Sequence, residues 1–143
     1  MKKEIREKVY KKFDGHCAYC GEEIEYKKMQ VDHMKPKLHT WSNSEIDGYN
    51  RNIQNLIDRN VKTKARIIVR GSDDIENLFP ACRRCNYHKS SLTIEGFREV
   101  IKHKIEVLNR DSTPYRIAKD YGLIQETDSP VIFYFEECQQ QKF

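Results

Sequence analysis

The sequence has no long apolar run, no internal repeat and no low-complexity tract. A helix that crosses a bilayer needs about 20 consecutive apolar residues, so we expect no membrane segment. The charged residues at the start of the chain are not followed by an apolar stretch, which is unlike a secretory signal. We therefore expect a cytoplasmic protein.

The sequence also has too few apolar residues for a large core. Only 38% of its 143 residues are hydrophobic, and the mean hydropathy is −0.85. This length predicts one domain over residues 1–143 with a modest core. A bound metal ion would compensate for part of the missing apolar burial.

The sequence also lacks a strong excess of basic over acidic residues. The formal net charge is +4, and the 34% of residues that are charged include both signs. The placement of the basic residues is therefore more informative than their number. Two basic clusters occur, and either cluster alone indicates no more than a solvated face. The first contains Lys2, Lys3, Arg6, Lys8, Lys11 and Lys12, and the second contains Arg83, Arg84, Lys89, Arg98, Lys102 and Lys104.

The chain has five cysteines, an odd number, which together with the missing secretory signal indicates thiols in a reducing compartment. Four of them form two CxxC pairs, Cys17 with Cys20 and Cys82 with Cys85. A redox function would explain one pair but not its duplicate. Four thiolates bind zinc tetrahedrally and leave no open position, so we predict a structural zinc site. Cys138 is left over as a free thiol.

Local patterns predict alternating short helices and strands. Apolar residues at every fourth position predict a helix over residues 3–13. Alternation over residues 29–34 predicts a strand that ends with Asp32 and His33 on opposite faces. The remaining predicted segments are a helix ending at residue 58, a strand over 65–70, helices over 86–91, 93–109 and 115–121, a strand over 131–135, and a frayed tail from 136 to 143.

Two motifs lie between and around the CxxC pairs: Asp-His-Met-x-Pro begins at Asp32, and Asn-Leu-x-Pro-x-Cys-x-x-Cys-Asn-x-x-Lys begins at Asn77. With these motifs, the sequence resembles the HNH endonucleases. The three letters of the family name match His33, Asn77 and Asn86, the last as an Asn variant of the final His. The resemblance covers about residues 13–92. Beyond residue 92, the chain has a weak similarity to standalone HNH proteins of phages and bacteria. The resemblance therefore implies the cytoplasm of a bacterial cell or of a phage-infected host.

The resemblance implies an α+β fold with a ββα-metal core, also called a His-Me finger, which is stapled by the four-cysteine zinc site and flanked by helices. The core would span residues 13–92. A helical insert over residues 38–70 departs from the family pattern, so the family does not indicate the substrate specificity. Further helices and a strand would follow over residues 93–135.

The resemblance also implies hydrolysis of DNA phosphodiester bonds. Asp32 and Asn86 would hold one Mg²⁺ or Mn²⁺ ion, which prefers oxygen ligands. His33 would be the general base, since an imidazole titrates near neutral pH. Asn77 would pin the loop that orients this base. The products would carry 5′-phosphate and 3′-hydroxyl ends, and the DNA would be double-stranded or branched.

Further polar and aromatic side chains lie near this constellation in the sequence. His88 is equally compatible with a phosphate contact and with plain surface. Trp41 and Tyr49 are interpreted as the core of the insert rather than as platforms for stacked bases. The residues assigned to nucleic-acid binding are Arg83, Arg84, Lys89 and His88.

Two other classes of function explain part of the sequence. A zinc-knuckle module that binds nucleic acid without cutting it would explain the cysteines and the basic clusters. It would not explain why Asp32, His33 and Asn86 all stand at matching positions. A protein-interaction scaffold built on the zinc site would explain less, and the oligomeric state is open.

Overall fold

The computed structural model describes residues 1–142 and combines helices with one small sheet. The sheet pairs strand β1, Gln30–His33, antiparallel with strand β2, Leu78–Ala81. In this register Asp32 lies opposite Phe79, and His33 lies opposite Leu78. The mixture of helices and an antiparallel sheet confirms the predicted α+β class.

Seven α-helices and one 3₁₀ turn make up the rest of the regular structure in residues 1–142. No helix in this range combines the length and apolar character that a membrane span requires. The helices are α1 Lys3–Lys11, α2 Asn43–Asp58, α3 Arg83–Lys89, α4 Ile94–Lys102, α5 Lys104–Asp111, α6 Thr113–Asp120 and α7 Tyr134–Gln140, and the 3₁₀ turn is Ile75–Asn77.

The core is an aromatic cluster around Tyr19. The Tyr19 ring meets the rings of Phe97 and Phe133 edge-to-face, each at a centroid distance of 5.6 Å. Phe79 and Phe135 pack edge-to-face at 5.0 Å. Large aromatic side chains bury much apolar area each, so a few of them make a core in a polar chain.

Helix α1 is tied to the chain before β2 by Lys12. The Lys12 ammonium donates to the carbonyl oxygens of Ile75, Glu76 and Leu78 at 2.9, 3.1 and 3.1 Å. It also lies 4.5 Å from the centroid of the Phe79 ring. One basic residue of the first cluster therefore has a structural role.

Helix α3 begins earlier than the predicted residue 86 because Cys82 caps it. The Cys82 sulfur accepts a hydrogen bond from the backbone N–H of Cys85 at 3.4 Å. The helix ends at Lys89, before Ser90, whose φ of 48° is left-handed. The second CxxC pair therefore occupies the first turn of α3.

The predicted strand over residues 65–70 is wrong. The side chain of Asn50 takes the place of a partner strand. Its Oδ1 accepts from the Ile68 N–H at 2.8 Å, and its Nδ2 donates to the Ile68 carbonyl at 2.7 Å. An extended segment whose backbone is satisfied by a side chain needs no sheet.

The predicted strand over residues 131–135 is also wrong, and so is the frayed tail over residues 136–140; residue 143 of the predicted tail lies outside the described residues. Helix α7 begins at Tyr134, and the Glu136 carboxylate accepts from the Phe133 N–H at 2.9 Å. The backbone N–H of Phe135 donates to the Ala18 carbonyl at 2.8 Å. The aromatic residues that suggested a strand instead pack in the core beside the first CxxC pair.

The predicted helix over residues 93–109 divides into α4 and α5 at His103. The His103 Nδ1 lies 2.7 Å from the Glu99 carbonyl, where it competes for the oxygen that its own N–H contacts at 3.1 Å. The predicted helix near 115–121 is observed as α6, shifted by two residues at its start.

Candidate metal and active site

The two CxxC pairs meet in space. The four sulfur atoms of Cys17, Cys20, Cys82 and Cys85 all lie within 4.8 Å of one another, and the Cys20 and Cys82 sulfurs are 3.9 Å apart. Tetrahedral zinc with Zn–S bonds near 2.3 Å implies sulfur separations of about 3.8 Å. The cluster thus fits a metal ion such as zinc.

Backbone hydrogen bonds shape the first pair into a tight turn. The Gly21 N–H donates to the Cys17 carbonyl at 2.9 Å, and the Cys17 N–H donates to the Glu22 carbonyl at 2.8 Å. Gly21 has a φ of 76°, a conformation that favours glycine. The Ala18 N–H donates to the Pro80 carbonyl of β2 at 2.8 Å, which brings the two pairs together.

The crowded sulfurs shift one another's ionisation. A hydrogen bond from the Cys85 thiol lowers the pKa of Cys17 to about 5. The same contact and then burial raise the pKa of the Cys85 thiol, while burial raises that of Cys82 to about 12. A bound cation would remove this mutual repulsion by stabilising all four thiolates.

Arg84 lies beside the cysteine cluster. Its guanidinium is 3.2 Å from the Glu22 carboxylate. Its pKa is raised, first by a hydrogen bond with the Cys20 sulfur and then by Glu22. Arg84 therefore contacts a predicted metal ligand.

Asp32 is buried with only one of its two oxygens in protein contacts. Oδ2 accepts from the Tyr19 hydroxyl and pairs with the Lys89 ammonium at 2.9 Å. Within residues 1–142, these side-chain contacts of Asp32 both use Oδ2 and none uses Oδ1, and Asp32 lines an open cleft beside His33. A carboxylate held by one oxygen presents the other in a fixed position, which suits a cation ligand.

Lys89 has a different function from the one its sequence position suggested. Its side chain is 0% exposed, and its ammonium contacts the Asp32 carboxylate and the His33 carbonyl, each at 2.9 Å. No surface of this side chain is open to a phosphate. The predicted phosphate contact of Lys89 therefore does not hold; its ammonium anchors α3 on β1.

Asn86 lies one helical turn before Lys89, so both side chains share a face of α3. Asn86 is half-buried, and its amide makes no side-chain hydrogen bond within the described chain. Asn86 therefore lies on the face of α3 from which Lys89 reaches Asp32. A cation shared by Asn86 and Asp32 stays a prediction.

His33 is held by Asp73, a residue that the sequence did not single out. Its Nε2 lies 2.8 Å from Asp73 Oδ1. Because an ionised carboxylate only accepts hydrogen bonds, Nε2 carries the proton and the lone pair of the neutral ring is on Nδ1. Hydrogen bonds from Lys37 and then His33 lower the pKa of Asp73.

Asn77 joins the segment after β1 to the turn that carries Asp73. Its Oδ1 accepts from the Lys35 N–H at 2.8 Å, and its Nδ2 donates to the carbonyls of Lys35 and Ser72 at 3.0 and 2.8 Å. Gly71 completes this joint, since a Cβ there would lie 1.7 Å from the Lys35 carbonyl oxygen. These contacts hold the two segments together, and the predicted role of Asn77 in orienting the base stays a prediction.

The remaining predicted nucleic-acid contacts lie on the outer face of α3. Arg83 and His88 are exposed, and the His88 ring stands edge-on to the exposed Tyr87 ring at 5.4 Å. Arg83 also lines a groove with the acidic residues Glu22 and Glu25. This face therefore has mixed charge.

No family model matches the chain, and no curated protein sequence matches it. Among solved structures, the chain is similar to the Type II-C Cas9 enzyme from Actinomyces naeslundii, at 18% identity and a TM-score of 0.42. The similarity covers 88% of this chain and 12% of the Cas9 chain. The chain thus spans a small part of the length of that enzyme.

Asp73 and Tyr19 are the site residues that sequence reasoning missed. The turn Gly71-Ser72-Asp73-Asp74 gave a weak signal, because acidic residues in turns are common. Tyr19 lies between the two cysteines of the first CxxC pair. That motif predicted a zinc site and gave no signal that the Tyr19 hydroxyl contacts Asp32.

Proposed function

We propose that this protein is a metal-dependent HNH endonuclease that hydrolyses DNA. The observation that carries the proposal is the arrangement at the end of β1. There, the Asp32 carboxylate lies next to the His33 imidazole, which Asp73 orients, and α3 carries the Asn86 amide. These groups come from three separate stretches of sequence: β1, the turn that carries Asp73, and α3. The order β1, β2, α3 supports a ββα-metal core for residues 13–92.

In this proposal, His33 takes a proton from the attacking water at Nδ1, while Asp73 accepts a hydrogen bond from Nε2–H. The Asp73 carboxylate also stabilises the imidazolium that forms. Asn77 and Gly71 keep the turn that carries Asp73 against the segment after β1.

Asp32 Oδ1 and the Asn86 amide oxygen would hold Mg²⁺ or Mn²⁺ in this site. When bound, such an ion supplies charge stabilisation for the phosphate and the departing 3′ oxygen. Lys89 and Tyr19 fix the carboxylate so that its free oxygen does not turn away. The four cysteines would hold zinc and join the chain before β1 to α3.

A plasmid-nicking assay with Mg²⁺ or Mn²⁺ tests the proposal, with His33→Ala as the inactive variant and His103→Ala as a matched control outside the site. We expect cleavage by the wild type and by His103→Ala, none by His33→Ala, and none in EDTA. Products should carry 5′-phosphate ends. Equal nicking by His33→Ala would overturn the assignment of the base.

The second candidate is a zinc-knuckle module that binds nucleic acid without cutting it. The exposed Arg83 and His88 favour this candidate independently of His33. It predicts DNA binding that weakens with salt and no cleavage with any divalent cation.

A further inference from the structure

A cleft of about 440 Å³ opens directly beside the proposed general base. Asp32 and His33 form one wall at the end of β1, and Ser90 and Ser91 after α3 form another. The third wall is residues 36–41, where the chain leaves the core and enters the insert. The insert thus contributes surface to the proposed active site.

Trp41 is exposed at this cleft, although the sequence analysis interpreted it as part of the core of the insert. The residue is 38% exposed, and its ring stands edge-to-face with the Tyr49 ring at a centroid distance of 5.7 Å. The interpretation of Trp41 as buried core of the insert is therefore wrong. A large aromatic surface is therefore left in the cleft that His33 also lines.

The backbone around Trp41 is held in place from both sides. The Arg70 guanidinium donates to the carbonyls of Lys37 and Leu38 at 2.7 and 3.1 Å, and to that of Trp41. Immediately after Trp41, Ser42 and Glu45 form a capping box at the start of α2. A platform that is already ordered loses little entropy when a ligand stacks on it.

The other polar groups of the cleft suit an anion. Lys37 and His39 both line it. The Lys37 ammonium pairs with Asp73 Oδ2 and retains two further N–H donors. The cleft therefore places a cationic group near His33 and an aromatic face farther along the same wall.

We propose that this cleft binds one unpaired nucleotide next to the scissile phosphate, with its base stacked on Trp41 and its phosphate near Lys37. This inference rests on the proposed nuclease function and adds a substrate class to it. In a duplex both faces of each base are covered by neighbours, so a stacking platform selects single-stranded or branched DNA. The insert would then determine which DNA structure is cut.

The chain has a single tryptophan, so emission excited at a wavelength that tyrosine does not absorb reports on Trp41 alone. The experiment titrates zinc-loaded His33→Ala protein with a single-stranded oligothymidylate, a blunt duplex and an abasic strand of equal length. We expect strong quenching by the first and little by the other two. Binding of the oligothymidylate without quenching, measured by anisotropy of a labelled strand, would overturn the proposal.

Variants of Trp41 provide the second arm. Removing a stacked base contact by alanine substitution weakens binding by roughly 5- to 150-fold. We expect this loss for Trp41→Ala with the single strand, partial recovery in Trp41→Phe, and no change in Tyr121→Ala, whose ring is 82% exposed and lies outside the cleft. Equal affinity of Trp41→Ala and wild type would contradict the platform.

These measurements separate this inference from the nuclease proposal. Quenching by single strands in a protein that never cleaves DNA would support the cleft and reject the nuclease. Cleavage of duplex plasmid without quenching by any strand would support the nuclease proposal and reject the nucleotide site in the cleft. If Trp41→Ala does not fold, by circular dichroism, the quenching titration of the His33→Ala protein still decides the question.

Discussion

The Lys89 ammonium lies 2.9 Å from Asp32 Oδ2 and 2.9 Å from the carbonyl oxygen of His33. One buried lysine on α3 therefore positions both members of the Asp-His pair at the end of β1. The sequence motif places Lys89 three residues after Asn86, and this spacing puts the anchor and the proposed metal ligand on one helical face.

Lys89→Met should destabilise the protein strongly. It would leave the Asp32 carboxylate buried without its cation, and breaking a buried pair costs about 3–5 kcal/mol. Urea unfolding followed by circular dichroism measures the free energy of unfolding. Lys102→Met, which breaks an exposed pair with Glu99, is the control and should change it little. Equal stability of both variants would show that the buried pair is not structural.

Asn86→Ala should abolish metal-dependent cleavage without affecting folding. Its amide makes no side-chain hydrogen bond within residues 1–142, so its removal leaves no buried group unsatisfied. The measurement is cleavage rate against Mg²⁺ concentration, together with the melting temperature. Asp32→Asn is a poorer test, because it would also leave the Lys89 charge unpaired. A fully active Asn86→Ala protein would remove Asn86 from the metal site.

Asp73→Ala should lower the turnover number by roughly 10- to 100-fold, the usual effect of losing a partner that orients an active-site group. Asp73 is 68% exposed, so folding and zinc content should not change. Nitrogen NMR of the His33 ring should show the Nε2–H tautomer in the wild type and a mixture in the variant. Asp74→Ala, at the adjacent position, is the control. An unchanged tautomer would refute the orienting role.

Cys82→Ser should lose zinc and unfold or melt far below the wild type, because structural zinc supplies folding free energy. Cys138→Ser is the matched control, since Cys138 lies outside the cluster of four. Metal content by mass spectrometry and thermal melting with and without chelator are the measurements. A stable Cys82→Ser protein without zinc would rule out the four-thiolate site.

Acid should weaken the attachment of α7. The Arg98 guanidinium lowers the pKa of Glu136, which it contacts through a side-chain hydrogen bond. Because the folded pKa lies below the unfolded value of about 4.3, the contribution is complete above that pH and is lost as the pH falls through the folded pKa. The stability difference between wild type and Glu136→Gln should therefore shrink between about pH 5 and strong acid, as urea unfolding would show.

Glu137→Gln, on the same helix and exposed, controls for this acid effect. Its stability relative to wild type should not vary over the same pH range. Loss of zinc in acid affects all three proteins alike, so only the differences between them are compared. A constant difference for Glu136→Gln would show that the Arg98 pair contributes nothing.

The local sequence determined the ligand types and most helices. The CxxC spacing allows one turn to supply two sulfurs, and that rule holds wherever the turns lie in the fold. Periodicity identified α1 and α2 because each has a one-sided apolar face, whereas Pro114 and Gly122 marked the start and the end of α6. The run from Val131 to Phe135 gave a wrong strand prediction. β-branched and aromatic residues are common in strands because they pack well on a half-buried surface, and the aromatic core provides the same kind of packing without a sheet.

The tertiary structure decided which partners those residues have. Residues 21 to 81 separate the two CxxC pairs, and no local pattern states that Asp73 meets His33 or that Lys89 meets Asp32. Both contacts join segments at least 40 residues apart. Each residue type sets its own ligand chemistry, whereas packing sets its burial and its hydrogen-bond partners. For this reason Lys89, predicted to face phosphate, is buried against Asp32. Trp41, predicted to be buried, is exposed.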